Sequence, residues 1–300
     1  KKINMKNFKI LDCTLRDGGY YTNWDFKPHL VDEYLKSVQE LPIDYIEIGY
    51  RNLKQSVYKG EFFYTPLETL KKVKSLTSKS VVLIIDEKNL SEDDIKQVVE
   101  PCGEYVEMIR IAIDPERFDF GIKKASVVRK LGYRVAFNVM YLSKWIDDNS
   151  FHKKLNGIEK HVDYLYLVDS YGSVYTEDIN RVVKKIRLIT PVKLGFHGHN
   201  NMELALANSI EAVKCGVEII DATILGMGRG AGNLKTELLL TQISKTQKIN
   251  FNLISNIVSK FYLLKKKYAW GTNLPYMISG FYSIPQKKVM DWLGKNFMSF

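Results

Sequence analysis

Residues 193–225 read KLGFHGHNNMELALANSIEAVKCGVEIIDATIL. This stretch holds one full repeat of the pattern that sets the fold. Lys193–His199 and Glu218–Leu225 are short runs of strand character. Between them lies a longer segment closed by Gly216, where a helix ending before the next strand needs a left-handed cap. Outward from this repeat the same two-part unit recurs along the chain. Further strand-like runs fall at Ile10–Thr14, Tyr45–Tyr50, Val81–Asp86, Met108–Ile113, Arg134–Tyr141 and Tyr164–Asp169. Two of them, VVLIID at 81–86 and MIRIAI at 108–113, are apolar at successive positions, as a parallel sheet covered on both faces demands.

The intervening segments carry apolar residues every three or four positions. Val31, Leu35, Val38 and Leu41 form one helical stripe, and Leu67, Leu70, Val73 and Leu76 another. Thr65-Pro66 reads as an N-cap followed by proline at the first helical position, and Gly132 reads as a helix end. Strand-then-helix units that end near Leu240 predict an α/β protein, a (β/α)8 TIM barrel. An open doubly wound sheet is the competing architecture, and the number of units favours closure. The expected organisation is a barrel catalytic domain over 8–245 and a short C-terminal helical, aromatic extension over 246–300. The extension contains a helical run, Phe251–Lys267, and then WGTNLPYMISGFYSIPQ. Its aromatic residues Tyr268, Trp270, Tyr276, Phe281 and Tyr282 suit three roles at this stage: covering the barrel mouth, pairing two subunits, or packing on outer helices.

Composition narrows the function classes. With 45% hydrophobic and 26% charged residues in 300, the chain is globular and neither disordered nor fibrous. Cys13, Cys102 and Cys215 are odd in number, far apart and form no CxxC pair, which argues against a disulfide framework and for a reducing, cytoplasmic setting. The longest aliphatic run, Val81–Ile85, is too short for a bilayer, and KKINMKNFKI lacks the apolar core of a signal peptide. The net charge of +10 is spread in groups such as Lys71-Lys72, Lys123-Lys124 and Lys184-Lys185, which are solvated helix faces. Neither a nucleic-acid nor a membrane partner is expected.

Chemistry in a barrel sits at the carboxyl ends of the strands. The seventh run ends in His197-Gly198-His199, and on a strand residues i and i+2 share a face, so both imidazoles aim at one point. Two neutral imidazoles and one carboxylate hold a divalent transition metal with positions left open. Asp17 is the matching carboxylate, read as lying at the end of another odd-numbered strand. Arg16 beside it is placed to stabilise an enolate. Ser170 and Asn138 are candidates to bind a substrate carboxylate, and Glu47 to contact the substrate or orient Arg16. The glycine-rich run 226–233 lacks the acidic residue and following strand of a dinucleotide fingerprint. It reads as an anion-contacting loop with Asn233 facing the metal.

Thr14-Leu15-Arg16-Asp17-Gly18 and His197-Gly198-His199, with the stretch GFHGHNNMELALANSIEAVKCGVEIIDATILGMGRGAGNLKTE, resemble the DRE-TIM metallolyase superfamily. Within it they look most like the 4-hydroxy-2-oxovalerate aldolases, which cleave a 4-hydroxy-2-oxo acid into pyruvate and an aldehyde. The resemblance covers roughly residues 8–245. It implies that Asp17, His197 and His199 bind a divalent metal, manganese first, with magnesium and cobalt as alternatives. It also implies that Arg16 stabilises the pyruvate enolate, that Ser170 contacts substrate, and that Asn233 lies near the metal.

Three departures shape the expectation. Those aldolases carry a histidine base three residues after the metal aspartate, where this chain has Tyr20. A phenol with an ordinary pKa near 10 is a weak base at neutral pH, so Tyr20 is assigned proton transfer through a relay. The hydroxymethylglutaryl-CoA lyase branch has a cysteine in the glycine loop, and residues 226–233 contain none. The bifunctional aldolases have a longer C-terminal region that docks a dehydrogenase, so that partner is not expected here. The reading is therefore a carbon–carbon lyase, a metal-dependent pyruvate aldolase taking a 2-oxo acid and an aldehyde, and expected to form homo-oligomers. Two alternatives stay open: a Claisen-type acyl-CoA/2-oxo acid synthase on the same scaffold, and a non-catalytic anion-binding barrel.

Overall fold

The structure, a computed structural model, describes residues 8–295. Residues 1–7 of the segment read for a leader, and the last five residues of the extension, lie outside the described residues. Eight strands form in the expected places: β1 (Lys9–Asp12), β2 (Tyr45–Tyr50), β3 (Ser80–Asp86), β4 (Met108–Ile113), β5 (Arg134–Val139), β6 (Tyr164–Asp169), β7 (Lys193–Gly198) and β8 (Ile219–Ala222). They pair in chain order, all parallel, and β1 closes on β8 through Lys9 opposite Ile219 and Asp12 opposite Ala222. The chain is a TIM barrel.

The two-residue period of each strand sorts its side chains. Ile109, Ile111 and Ile113 of β4 pack outward with Leu165 and Leu167 of β6 in the large core between sheet and helices. Met108, Tyr164, Tyr166 and Ile219 meet inside the barrel with Leu11, Tyr45 and Val82. Gly195 of β7 is glycine for space: a Cβ there would stand 2.4 Å from the ring of Tyr166. No helix of the described residues is long and apolar enough to cross a membrane.

Two local expectations need correction. The Thr14–Asp17 segment does not prolong β1; it opens a helix, Thr14–Thr22, immediately after the strand. Buried Asp12 starts that helix, accepting from Thr14 N at 2.9 Å and Thr14 Oγ1 at 2.5 Å, while Tyr34 and Thr236 hold the same carboxylate at 2.6 Å each. Thr65 is not an N-cap. It ends the short helix Glu61–Tyr64 with φ of 39° and its hydroxyl donates back to Phe62 O, so Pro66 precedes the helix Leu67–Leu76 without a side-chain cap. Gly132 and Gly216, at φ of 91° and 88°, take the left-handed geometry expected of helix ends.

The last elements bury Trp270 and Tyr276 of the aromatic tail and leave Phe281 and Tyr282 exposed. Helix Phe251–Tyr268 lies on the outer helix Pro28–Gln39, with Phe261 and Tyr34 ring centroids 6.1 Å apart. The chain then turns over the barrel mouth. Buried Trp270 donates Nε1 to Leu225 O at 3.0 Å, and Asn201 Nδ2, after β7, donates to Tyr276 O at 3.0 Å. The tail thus packs on an outer helix and also braces the loops that follow β7 and β8.

Candidate active site

The floor of the site is a buried polar layer inside the barrel. Alternation turns Glu47, Arg110, Asn138, Tyr166, His197 and Asp221 inward, all nearly inaccessible. Buried charges persist when paired. Arg110 donates Nη2 to Asp221 Oδ2 at 2.6 Å and Nε to Asn138 Oδ1 at 2.8 Å, faces Glu47 Oε1 at 3.3 Å, and lies 4.0 Å from the Tyr166 ring centroid. Glu47 Oε2 accepts from Arg16 Nε at 2.6 Å.

Above this floor the two histidines are fixed by their Nδ1 atoms. His197 Nδ1 lies 2.9 Å from Asp221 Oδ2, and His199 Nδ1 lies 2.8 Å from the Asp169 carbonyl oxygen. Both partners accept, so each Nδ1 carries the proton and each Nε2 keeps its lone pair. His197 Nε2 stands 3.5 Å from Asp17 Oδ2, and the two rings are 5.0 Å apart, edge to face. Burial pushes the His199 imidazole down to about 3, with the neighbouring His197 adding to the effect, so it is neutral at working pH. Burial alone would raise the Asp17 carboxyl, but Arg16, then His197, His199 and Arg229, outweigh it and bring it down to about 2.

These donors suit a divalent cation: two imidazole lone pairs, an ionised carboxylate, and a buried Asn233 Oδ1 that has no hydrogen-bond partner among the described residues. Asn233 Nδ2 donates to Asp17 Oδ2 at 2.6 Å. Gly228 makes room for that amide, since a Cβ there would lie 2.6 Å from Asn233 Nδ2. Cys13 also stands among these donors: Cys13 Sγ, Asp17 and His197 have donor atoms within 4.8 Å of one another, a group that does not include His199. Burial and the adjacent Asp17 push the Cys13 thiol well up, so it is not an activated nucleophile.

The remaining candidate residues divide. Arg16 pairs with both Asp17 and Glu47, and its Nη2 makes no hydrogen bond among the described residues. Ser170 Oγ accepts from Tyr141 N at 2.8 Å, which leaves its hydroxyl proton free to donate. Tyr20 lies on the helix Thr14–Thr22 with its hydroxyl 2.8 Å from that of Tyr50. Glu47 orients Arg16, one of the two roles expected of it, and Asn138 Oδ1 accepts from Arg110 beneath the site. Both point into a closed lumen already filled by Arg110. Asp17 reaches the histidines from a helical turn, and not from an interior strand layer as expected.

Sequence reasoning passed over Asp221, Arg110, Tyr50 and Arg229. A charge inside an apolar strand was the available signal for the first two, since MIRIAI and EIIDA tolerate one only if it is paired.

Comparison with known proteins bears on the family and the fold. The profile of the family described as HMGL-like matches residues 7–260. The oxaloacetate decarboxylase of Mycobacterium tuberculosis is 27% identical over 237 residues, 79% of this chain and 70% of that protein. The 4-hydroxy-2-oxovalerate aldolase of Carboxydothermus hydrogenoformans is 27% identical over 246 residues, 80% of this chain and 71% of that protein. Among solved structures, the N-terminal domain of a protein provisionally named an aldolase, from Bacteroides vulgatus, superposes with a TM-score of 0.93 at 50% identity, covering 95% of this chain and 96% of that one. The carboxyl transferase domain of Rhizobium etli pyruvate carboxylase shares the fold at a TM-score of 0.74 and 14% identity, over 98% of this chain and 53% of that one.

Proposed function

Because the chain belongs to the HMGL-like family, we propose that it is a divalent-metal-dependent lyase that cleaves or forms a 4-hydroxy-2-oxo acid through a pyruvate enolate. The observation that carries this reading is the commitment of both histidine Nδ1 atoms to Asp221 and the Asp169 carbonyl, which leaves both Nε2 lone pairs free, that of His197 3.5 Å from Asp17 Oδ2. Asp17, His197 and His199 would hold the cation, with Asn233 Oδ1 next to them. When bound there, the ion supplies Lewis acidity toward the 2-oxo group, worth several kcal/mol to an enolate-like transition state.

The protein's own groups do the rest. Arg16 is aimed by Glu47, and its free Nη2 offers a charge-assisted hydrogen bond to the developing enolate oxygen. The Ser170 hydroxyl is free to donate to the substrate carboxylate. In cleavage, the 4-hydroxyl loses its proton, the C3–C4 bond breaks, an aldehyde leaves, and the enolate takes a proton at C3. We assign the proton from the 4-hydroxyl to the Tyr20–Tyr50 hydroxyl pair, which relays it to water. Manganese is the ion that the resemblance to the 4-hydroxy-2-oxovalerate aldolases implies, and a cytoplasmic enzyme taking pyruvate and an aldehyde fits the reading.

A second reading has its own observation. Tyr20 shares its hydroxyl with Tyr50, and neither is a strong base. Oxaloacetate carries a carboxylate on the carbon next to its 2-oxo group; loss of that carboxylate as carbon dioxide leaves the same pyruvate enolate and abstracts no hydroxyl proton, the reaction named for the Mycobacterium tuberculosis relative.

Metal analysis of the purified protein, joined to a pyruvate methyl-proton exchange assay in deuterated buffer, tests the proposal. Bound metal with rapid exchange supports a lyase. A lack of exchange with every 2-oxo acid tried returns the barrel to a binding role, and release of CoA thiol only when an acyl-CoA and a 2-oxo acid are both present would favour a Claisen synthase. Within the lyase reading, oxaloacetate consumed faster than any 4-hydroxy-2-oxo acid favours the decarboxylase.

A further inference from the structure

Of the arginines in and around the barrel mouth, four are held by protein partners, with Arg16 keeping only its Nη2 free for the 2-oxo acid. Arg16 is held by Asp17 and Glu47, Arg51 by the carbonyls of Val98, Tyr64 and Thr65, Arg110 by Asp221 and Asn138, and Arg117 by Glu87. Arg229 makes no hydrogen bond or ion pair among the described residues. It lies against Tyr20, with its guanidinium carbon 4.1 Å from the ring centroid, and is only partly exposed. A guanidinium stacked on an aromatic face keeps its in-plane N–H fork free, and that fork matches carboxylate and phosphate oxygens. Drawing such a charge partly out of water costs free energy that an anion recovers.

The loop carrying Arg229 is pinned on every side. Gly230 N donates to Tyr21 Oη at 3.1 Å, Gly232 N to Arg229 O at 3.1 Å, Asn200 N to Gly232 O at 2.9 Å, and Gly271 N to Gly230 O at 3.0 Å. The fork is therefore preorganised, which lowers the entropy lost on binding. Its neighbour Tyr20 belongs to the hydroxyl pair assigned above to the proton of the 4-hydroxyl, and that hydroxyl becomes the aldehyde oxygen. Arg229 accordingly faces the aldehyde side, while Arg16 and Ser170 serve the 2-oxo acid.

We propose that Arg229 receives an anionic group on the aldehyde, so that the electrophile is an aldehyde bearing a phosphate or a carboxylate and not a neutral one. This inference rests on the lyase reading of the same site.

The test pairs kinetics with equilibrium binding on the metal-loaded protein. Glyceraldehyde 3-phosphate and succinic semialdehyde are compared with the neutral aldehydes glyceraldehyde and butyraldehyde as partners of pyruvate. A charge-assisted hydrogen bond predicts a preference in kcat/KM of about tenfold to hundredfold for a charged aldehyde. Arg229→Gln should collapse that ratio toward one, and Arg229→Lys should restore part of it. A larger preference for the first charged probe identifies phosphate, and for the second carboxylate. Equal kcat/KM for charged and neutral aldehydes, or an Arg229→Gln variant that lowers both in proportion, overturns the inference. Calorimetric titration with inorganic phosphate and with succinate reads the fork without turnover. Binding that weakens at least about tenfold in Arg229→Gln, in a protein that fails to exchange pyruvate protons, would sink the lyase reading and leave the anion site standing. Exchange without charge preference would do the reverse.

Discussion

Asp221 holds His197 through Nδ1 at 2.9 Å, and the same carboxylate oxygen takes Arg110 at 2.6 Å, so one buried acid ties the proposed metal ligand to the barrel floor. Such partners fix the ring and raise its basicity. Asp221→Asn keeps an acceptor for both neighbours but removes the charge. Manganese affinity, measured by calorimetry or chelator competition, should fall by about 10- to 100-fold. Unchanged affinity in a folded variant would mean that Asp221 serves only the floor.

Asp17 should matter more than Ser170, which is assigned to the substrate carboxylate. Asp17→Ala removes a ligand and the partner of Arg16, and pyruvate methyl-proton exchange should fall by at least ~1,000-fold. Ser170→Ala loses one hydrogen bond and should cost about tenfold. Equal losses in the two variants would contradict the assignment of roles.

Glu47 is a matter of stability as well as activity. It is fully buried and faces both Arg16 and Arg110. Glu47→Ala would leave two arginines short of a counter-charge, costing about 3–5 kcal/mol. Thermal unfolding should shift down by roughly 5–10 °C. A shift of less than about one degree would show that solvent or another carboxylate replaces it.

His199 gives the chelator-treated protein a pH signature. The unfolded chain protonates this histidine below about pH 6.5, while the folded imidazole, held down to about 3 by burial, does not. The unfolded state then binds more protons, so stability falls as pH drops from about 6.5 toward 3 and is fully restored above that window. Against His199→Asn, the wild-type protein should lose up to about 1.4 kcal/mol per pH unit in urea unfolding between these limits. Parallel curves for the two proteins would show that the ring is solvated and titrates normally.

The barrel was legible because strand period and helix period alternate cleanly. The histidine pair was legible because alternate strand residues share a face. The helix Thr14–Thr22 was not: it contains Gly18 and Gly19, which local propensity reads as a turn. Packing decides there, since a Cβ on Gly19 would stand 2.0 Å from the Trp24 ring. The Arg110–Asp221 pair joins residues from strands far apart in sequence, and only closure of the barrel brings them together. Arg229 was hidden in a glycine-rich run read as a backbone anion loop, because no periodicity reports which side chain of such a loop stacks on Tyr20.

Anomalous diffraction from crystals soaked in manganese tests the central claim most directly. The account predicts one strong peak within about 2–2.5 Å of His197 Nε2, His199 Nε2 and an Asp17 carboxylate oxygen. No peak there at saturating manganese, with the three side chains turned apart, would contradict it.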